Sequence, residues 1–130
     1  MFLRTENEKG QAMVEFALIL PILLLILCGI IDFGWIFGNQ LMANNACREA
    51  ARYTAVHYYD SGADDDQAAA AGIVAARAPT LTSDVIISVS ASGEVSTVVT
   101  SKVNVLTPLT SWLFENGQYT VWASCVMRLE

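Results

Sequence analysis

Lys9-Gly10-Gln11-Ala12-Met13-Val14-Glu15-Phe16 opens an apolar run that passes through Ala17-Leu18-Ile19-Leu20-Pro21 and Leu27-Cys28-Gly29-Ile30-Ile31 to Phe37. Between Phe16 and Phe37 the run carries one charge, Asp32. At 1.5 Å per residue a helix of this length covers about 33 Å, against a bilayer core of roughly 30 Å. A secretory signal would close a shorter run with a small-residue cleavage site, whereas this one ends in the bulky Phe33-Gly34-Trp35-Ile36-Phe37. Leu25-Ile26-Leu27-Cys28 is not a lipoprotein processing site either, because Leu27 is too large beside the cysteine and the site sits too deep. The stretch predicts a transmembrane helix that stays with the protein.

The remaining length bounds what can accompany that helix. With 130 residues there is room for the span and one small domain. The expected division is a cytoplasmic leader over residues 1–10, a transmembrane half-helix over 11–38, and an exported α+β domain over 39–130. A net charge of −6 with seven scattered cations excludes a nucleic-acid partner and an anionic-lipid patch. Arg4 and Lys9 precede the run and Arg48 and Arg52 follow it, so cation count alone does not orient it. The short leader and long polar remainder favour a cytoplasmic leader and an exported carboxy-terminal part.

The leader has no periodicity and reads as a disordered tail. A helix is expected from residue 11 to about 58, interrupted at Pro21, which removes a backbone hydrogen bond and permits a kink. Gly34 and Gly38 have the spacing that lets a second helix approach closely. Past the span the pattern becomes amphipathic without a helix breaker. Ala43, Cys47, Ala51 and Ala55 form one row of small side chains, with Ala46 and Ala50 on the next row. Asn44, Asn45, Arg48, Glu49 and Arg52 make the polar side, with Glu49 and Arg52 spaced to pair. A membrane helix that continues as the core helix of a small domain has this pattern.

After a loop at residues 60–63, Asp64-Asp65-Asp66-Gln67 opens a second helix, with Asp64 as cap and Gln67 at the reciprocal position. Three consecutive aspartates are poorly spaced for calcium, which takes alternating ligands around a glycine turn. The helix ends near Arg77, before Pro79. Residues 85–90 and 95–106 read as a hairpin around Ser92-Gly93, and residues 119–129 as a last strand after Asn116-Gly117. On that strand Tyr119, Val121, Ala123, Cys125, Met127 and Leu129 share one face. Packing this face on the small-residue face of the first helix brings Cys47 to Cys125. A Cys47–Cys125 disulfide is therefore expected, with two separate buried thiols as the alternative. The fold class is α+β: a long amino-terminal helix, a short second helix and a three-stranded antiparallel sheet packed on the long one.

No enzyme constellation is present. His57 is the lone histidine and reads as a surface or capping side chain. There is no glycine-rich phosphate loop, Cys-x-x-Cys or nucleophile motif, so no cofactor, metal or small-molecule substrate is expected.

Gly10-Gln11-Ala12-Met13-Val14-Glu15-Phe16 resembles the processing site of type IV prepilins, where a membrane peptidase cuts after the glycine. Together with Leu20-Pro21 and Ala46-Cys47-Arg48-Glu49-Ala50-Ala51-Arg52-Tyr53, it is most similar to TadE-like minor pilins, or pseudopilins, of tight adherence (Tad, Flp) pili. The ending Ala123-Ser124-Cys125-Val126-Met127-Arg128-Leu129-Glu130 resembles these proteins too. Here the residue after the cut is glutamine rather than phenylalanine, and the leader ends with balanced charge. No von Willebrand-like domain is present, against the larger TadG-like members. The resemblance implies cleavage between Gly10 and Gln11 by a prepilin peptidase and a bacterial inner-membrane location before assembly. It also implies other Tad pilins and assembly-platform proteins as partners. Glu15 would register subunits: its carboxylate is costly in a bilayer unless paired, and cleavage creates an ammonium on Gln11 one turn away. A carboxylate near a helix start also suits the helix dipole, which is the other reading of Glu15. For Asp32 the two readings are an acid reaching the membrane interface and a contact between subunits. The competing class for the whole chain is an unprocessed, single-pass anchored binding module. A major pilin fits less well, because the sheet domain has no place in one.

Overall fold

The computed structural model describes residues 5–58, 63–108 and 115–129. Helix α1 spans Thr5–His57 and α2 spans Ala63–Arg77; strands β1, β2 and β3 span Thr82–Val89, Glu94–Asn104 and Gln118–Arg128, with a 3-10 turn at Glu115–Gly117 before β3. The expected α+β layout is the one observed. The loop expected at residues 60–63, the side chain of Asp64, and the connection over residues 109–114 lie outside what is described, apart from the helical backbone that begins at Ala63.

With 53 residues, α1 is about 80 Å long. It is unbroken through Pro21: one hydrogen bond is lost, but the turns on either side are already propagating, and each further residue adds a bond at little entropic cost. The same cooperativity corrects the reading of the leader. Residues 5–10 are not an irregular tail but the first turns of α1, which continues across the Gly10–Gln11 bond.

Small side chains decide how the carboxy-terminal half of α1 packs. Ala43, Ala46, Cys47, Ala50 and Ala51 are fully buried and Ala55 nearly so, the face expected from their spacing. With so little side chain between backbones, both α2 and the sheet approach α1 closely. Thr54 joins this stripe without an unmet hydroxyl, since its Oγ1 donates to the Ala50 carbonyl at 3.1 Å. From α2, Ala70 and Val74 face α1, followed by Ala78, whose N–H closes on the Val74 carbonyl at 2.8 Å before Pro79 prevents another turn.

The sheet is an antiparallel meander in the order β1-β2-β3. Its period-two pattern is clearest on β2, where Val95, Thr97, Val99, Ser101 and Val103 are buried and alternate with residues on the outer face. Val121 and Ala123 of β3 continue the inner face, while Trp122 and Val126 lie exposed on the other. The β1–β2 turn needs Gly93, whose φ of 76° is unfavourable for a side chain. The Gly93 carbonyl also accepts the Leu129 N–H at 2.9 Å, fastening the end of the chain to the turn.

One charge pair differs from expectation. Glu49 pairs with Arg77, at 2.6 Å, rather than with Arg52. Packing of Ala70 and Val74 on α1 lays the end of α2 beside Glu49, and a cation delivered from a second helix reaches it directly. The pair is exposed on both sides and adds little stability.

Candidate functional site

Gly10 and Gln11 lie side by side where the apolar run of α1 begins, Glu15 lies one turn farther on, and all three are exposed. Their surroundings are equally uncovered: Met13 is 75% exposed and Phe16 62%. The helix contains a span long and apolar enough to cross a membrane, and none of its most apolar window is buried within the chain. Among the described residues, nothing of the folded domain covers this end. A side chain added at Gly34 or Gly38 would meet nothing within 4 Å, so their close-packing face is likewise unused inside one chain.

The second region is where α1 joins the sheet domain, and three polar side chains build it. Asp32 is 3% exposed and is the single charge between Phe16 and Phe37. Its Oδ1 accepts the backbone N–H groups of Leu106 and Thr107, each at 3.0 Å, and Thr107 Oγ1 donates to Oδ2. Asn39 is 1% exposed; its Nδ2 donates to the Trp35 carbonyl at 2.8 Å and its Oδ1 accepts from Thr80 Oγ1 at 3.0 Å. Gln40 Nε2 donates to the Trp122 carbonyl at 2.7 Å. Asp32 thus holds the loop after β2, Asn39 the loop before β1, and Gln40 holds β3. The intramolecular cage satisfies the Asp32 carboxylate, for which the sequence left two readings, an acid reaching the membrane interface and a contact between subunits.

Farther along α1 stands Cys47. Its Sγ donates to the Thr97 carbonyl at 3.2 Å, and Thr97 pairs across the ladder with Cys125. The two cysteines are brought together as their faces implied, and in this structure both are thiols. Burial pushes the Cys47 thiol up to about 12, and hydrogen bonding with Cys125 and the charge that Cys125 would carry push the same way. The three α1 contacts, Asp32 to Leu106 and Thr107, Gln40 to Trp122, and Cys47 to Thr97, fall in order along β2, since Trp122 pairs with Thr100. β2 therefore runs antiparallel to α1, with its carboxy-terminal end nearest the apolar span.

His57 closes the last turn of α1, with Nδ1 3.0 Å from the Tyr53 carbonyl and its ring stacked on Tyr53. The Gln67 amide donates to the Val85 carbonyl at 3.3 Å, and the cap it was expected to complete with Asp64 lies outside the described residues. Among the described residues, no group of three or more His, Cys, Asp or Glu side chains could hold a metal ion.

Sequence reasoning missed Asn39 and Gln40. A signal was present: Asp32, Asn39 and Gln40 are spaced i, i+7 and i+8, on the stripe that continues through Ala43 and Cys47. Polar residues on a buried stripe mark places where a helix meets backbone that needs partners.

No curated protein and no solved structure matches this chain. A family model described as TadE-like protein matches residues 10–52, which take in the exposed Gly10–Glu15 end, the span, the Asp32–Gln40 junction and the small-residue face up to Arg52. Over residues 10–52 this chain is thus similar to TadE-like proteins, the family that its opening stretch resembles.

Proposed function

We propose that the chain is a minor pilin, or pseudopilin, of a Tad/Flp type IV pilus, cut between Gly10 and Gln11 by a prepilin peptidase. The observation that carries this reading is a glycine five residues before a glutamate, both exposed, at the start of an uncovered apolar helix that becomes the core of a small α+β domain. Gly10 is the weakest helix former between Thr5 and Met13, by about 1 kcal/mol relative to alanine, so local unwinding for a peptidase is cheapest there. The cut leaves an ammonium on Gln11 one turn from Glu15. In a bundle of such helices that ammonium meets Glu15 of a neighbouring subunit. The desolvated pair penalises misregistered subunits more than it adds stability.

In this reading the protein is a structural component without enzymatic activity. It waits in the bacterial cytoplasmic membrane with its carboxy-terminal domain outside, and other Tad pilins and assembly-platform proteins take it into the pilus, where it serves assembly, priming or adhesion. Outside the cytoplasm Cys47 and Cys125 form a disulfide, passing two electrons and two protons to an external disulfide oxidant. A helix that continues across the Gly10–Gln11 bond favours the second reading, an unprocessed single-pass anchor for an envelope binding domain.

Replacement of Glu15 by valine tests the assignment in a piliated host lacking the native copy. The Glu15→Val chain is expected to be cleaved and to reach the membrane, yet to leave the cells without pili. Normal piliation would reduce Glu15 to a dipole complement and remove the registration mechanism.

A further inference from the structure

The loop after β2 has a property unusual for irregular backbone. Val105 N–H donates to the Gly117 carbonyl at 2.9 Å, Leu106 and Thr107 N–H both donate to Asp32, and residue 108 is a proline, which has no N–H. Four consecutive residues therefore present no unmet backbone donor. Hydrocarbon demands that an irregular segment meeting it satisfy its backbone donors and acceptors alike, because each unsatisfied group there costs several kcal/mol, and the donor half of that demand is met here. Leu106 nevertheless projects outward and is 59% exposed.

The depth of the loop follows from α1. If Glu15 stands at the cytoplasmic boundary, a core of about 30 Å ends some 20 residues later, at Trp35, a residue type that favours the membrane interface. Asp32 then lies about 4–5 Å inside that boundary. Exposed apolar side chains agree, since they continue past Asp32 to Phe33, 70% exposed, and Phe37, 54% exposed. A carboxylate at that depth needs partners, and the loop supplies them. The other end of β2 is unlike this one: Ser90, Ser92 and Glu94 surround the β1–β2 turn, roughly 30 Å away along the strand.

We propose that residues 105–108 form a second membrane-contact element, in which Leu106 enters the outer interface of the bilayer while Asp32 locks the loop to α1. The exported domain then stands on the lipid surface at a fixed height instead of swinging on its helix. This rests on α1 crossing a bilayer and is independent of the role in a pilus.

The test uses the full chain in phosphatidylcholine–phosphatidylglycerol vesicles, with the photo-crosslinking residue p-benzoylphenylalanine placed singly at Leu106, at Ile26 in mid-span, and at Ser92 in the distal turn. Lipid adducts are counted by mass. The position 106 adduct is expected to approach that at 26 and to exceed that at 92 at least tenfold. Asp32→Ala should lower the position 106 adduct several-fold without changing that at 26. Asp32→Asn should retain it, because one amide oxygen still accepts both loop N–H groups. An adduct at 106 no higher than at 92, with 26 crosslinked, overturns the membrane contact alone. No adduct at 26 overturns the membrane-spanning reading and the proposal with it. An adduct at 106 that Asp32→Ala leaves unchanged overturns the role of Asp32. Should Asp32→Ala not fold, the comparison of 106 with 92 and 26 in the otherwise native chain still decides the contact.

Discussion

Replacing Asp32 with alanine removes three hydrogen bonds at once, and their geometry sets the expected cost. Leu106 and Thr107 each lose the acceptor 3.0 Å from their N–H, and the Thr107 hydroxyl loses its carboxylate partner. Hydrogen bonds to a charged group contribute about 1.5–3 kcal/mol each, offset in part by no longer desolvating a carboxylate that is 3% exposed. A net loss of about 2–4 kcal/mol follows. Asp32→Asn should cost only about 1 kcal/mol, because both N–H groups share Oδ1 and an amide nitrogen in place of Oδ2 can donate to the Thr107 hydroxyl. The assay is equilibrium unfolding of the full chain in mild detergent micelles, followed by near-ultraviolet circular dichroism. Equal losses for alanine and asparagine, or an alanine loss under about 1 kcal/mol, would refute the assignment of Asp32 as the clamp of this loop.

Three further outcomes concern the carboxy-terminal domain. Ala50 is fully buried between α1 and the elements that cover it, so Ala50→Leu should overpack the interface and destabilise the domain by about 2 kcal/mol, while far-ultraviolet circular dichroism keeps the helical signal of α1. With its thiol pushed up to about 12 from an ordinary value of 9.0, Cys47 holds on the order of a thousandfold less thiolate at a given pH. Iodoacetamide should accordingly modify it several hundredfold more slowly in the folded, reduced chain than in urea, as read by peptide mass. The folded state keeps a proton that the unfolded chain releases, so domain stability should fall as pH rises from about 9 to about 12. A pH-independent stability across that window in the reduced chain would contradict the burial argument, whereas in a Cys47–Cys125 disulfide there is no thiol to titrate.

What could be read before folding was what depends on local period. The alanine and cysteine rows at 43, 46, 47, 50, 51 and 55 mark a buried helix face at spacing 3.6, and the alternation from Val95 to Val103 marks an inner sheet face at spacing 2. Because those two faces carry Cys47 and Cys125, their meeting was legible too. The junction at Asp32, Asn39 and Gln40 was less so. Two of its three partners include main-chain groups of distant loops and strands, and these carry no residue-type signature. Arg77 beside Glu49 was hidden for a related reason: a pairing rule for one helix says nothing of a cation arriving from another. The leader illustrates the opposite error, in which composition suggests disorder but a long neighbouring helix supplies the nucleus that a short segment lacks.

The mass of the native chain, purified from a host that carries the matching prepilin peptidase, tests the central assignment most directly. The account predicts a protein that begins at Gln11, lacking residues 1–10, and a Gly10→Leu variant that keeps its full leader. A native chain that still begins at Met1 would contradict processing and leave a membrane-tethered domain in place of a pilus subunit.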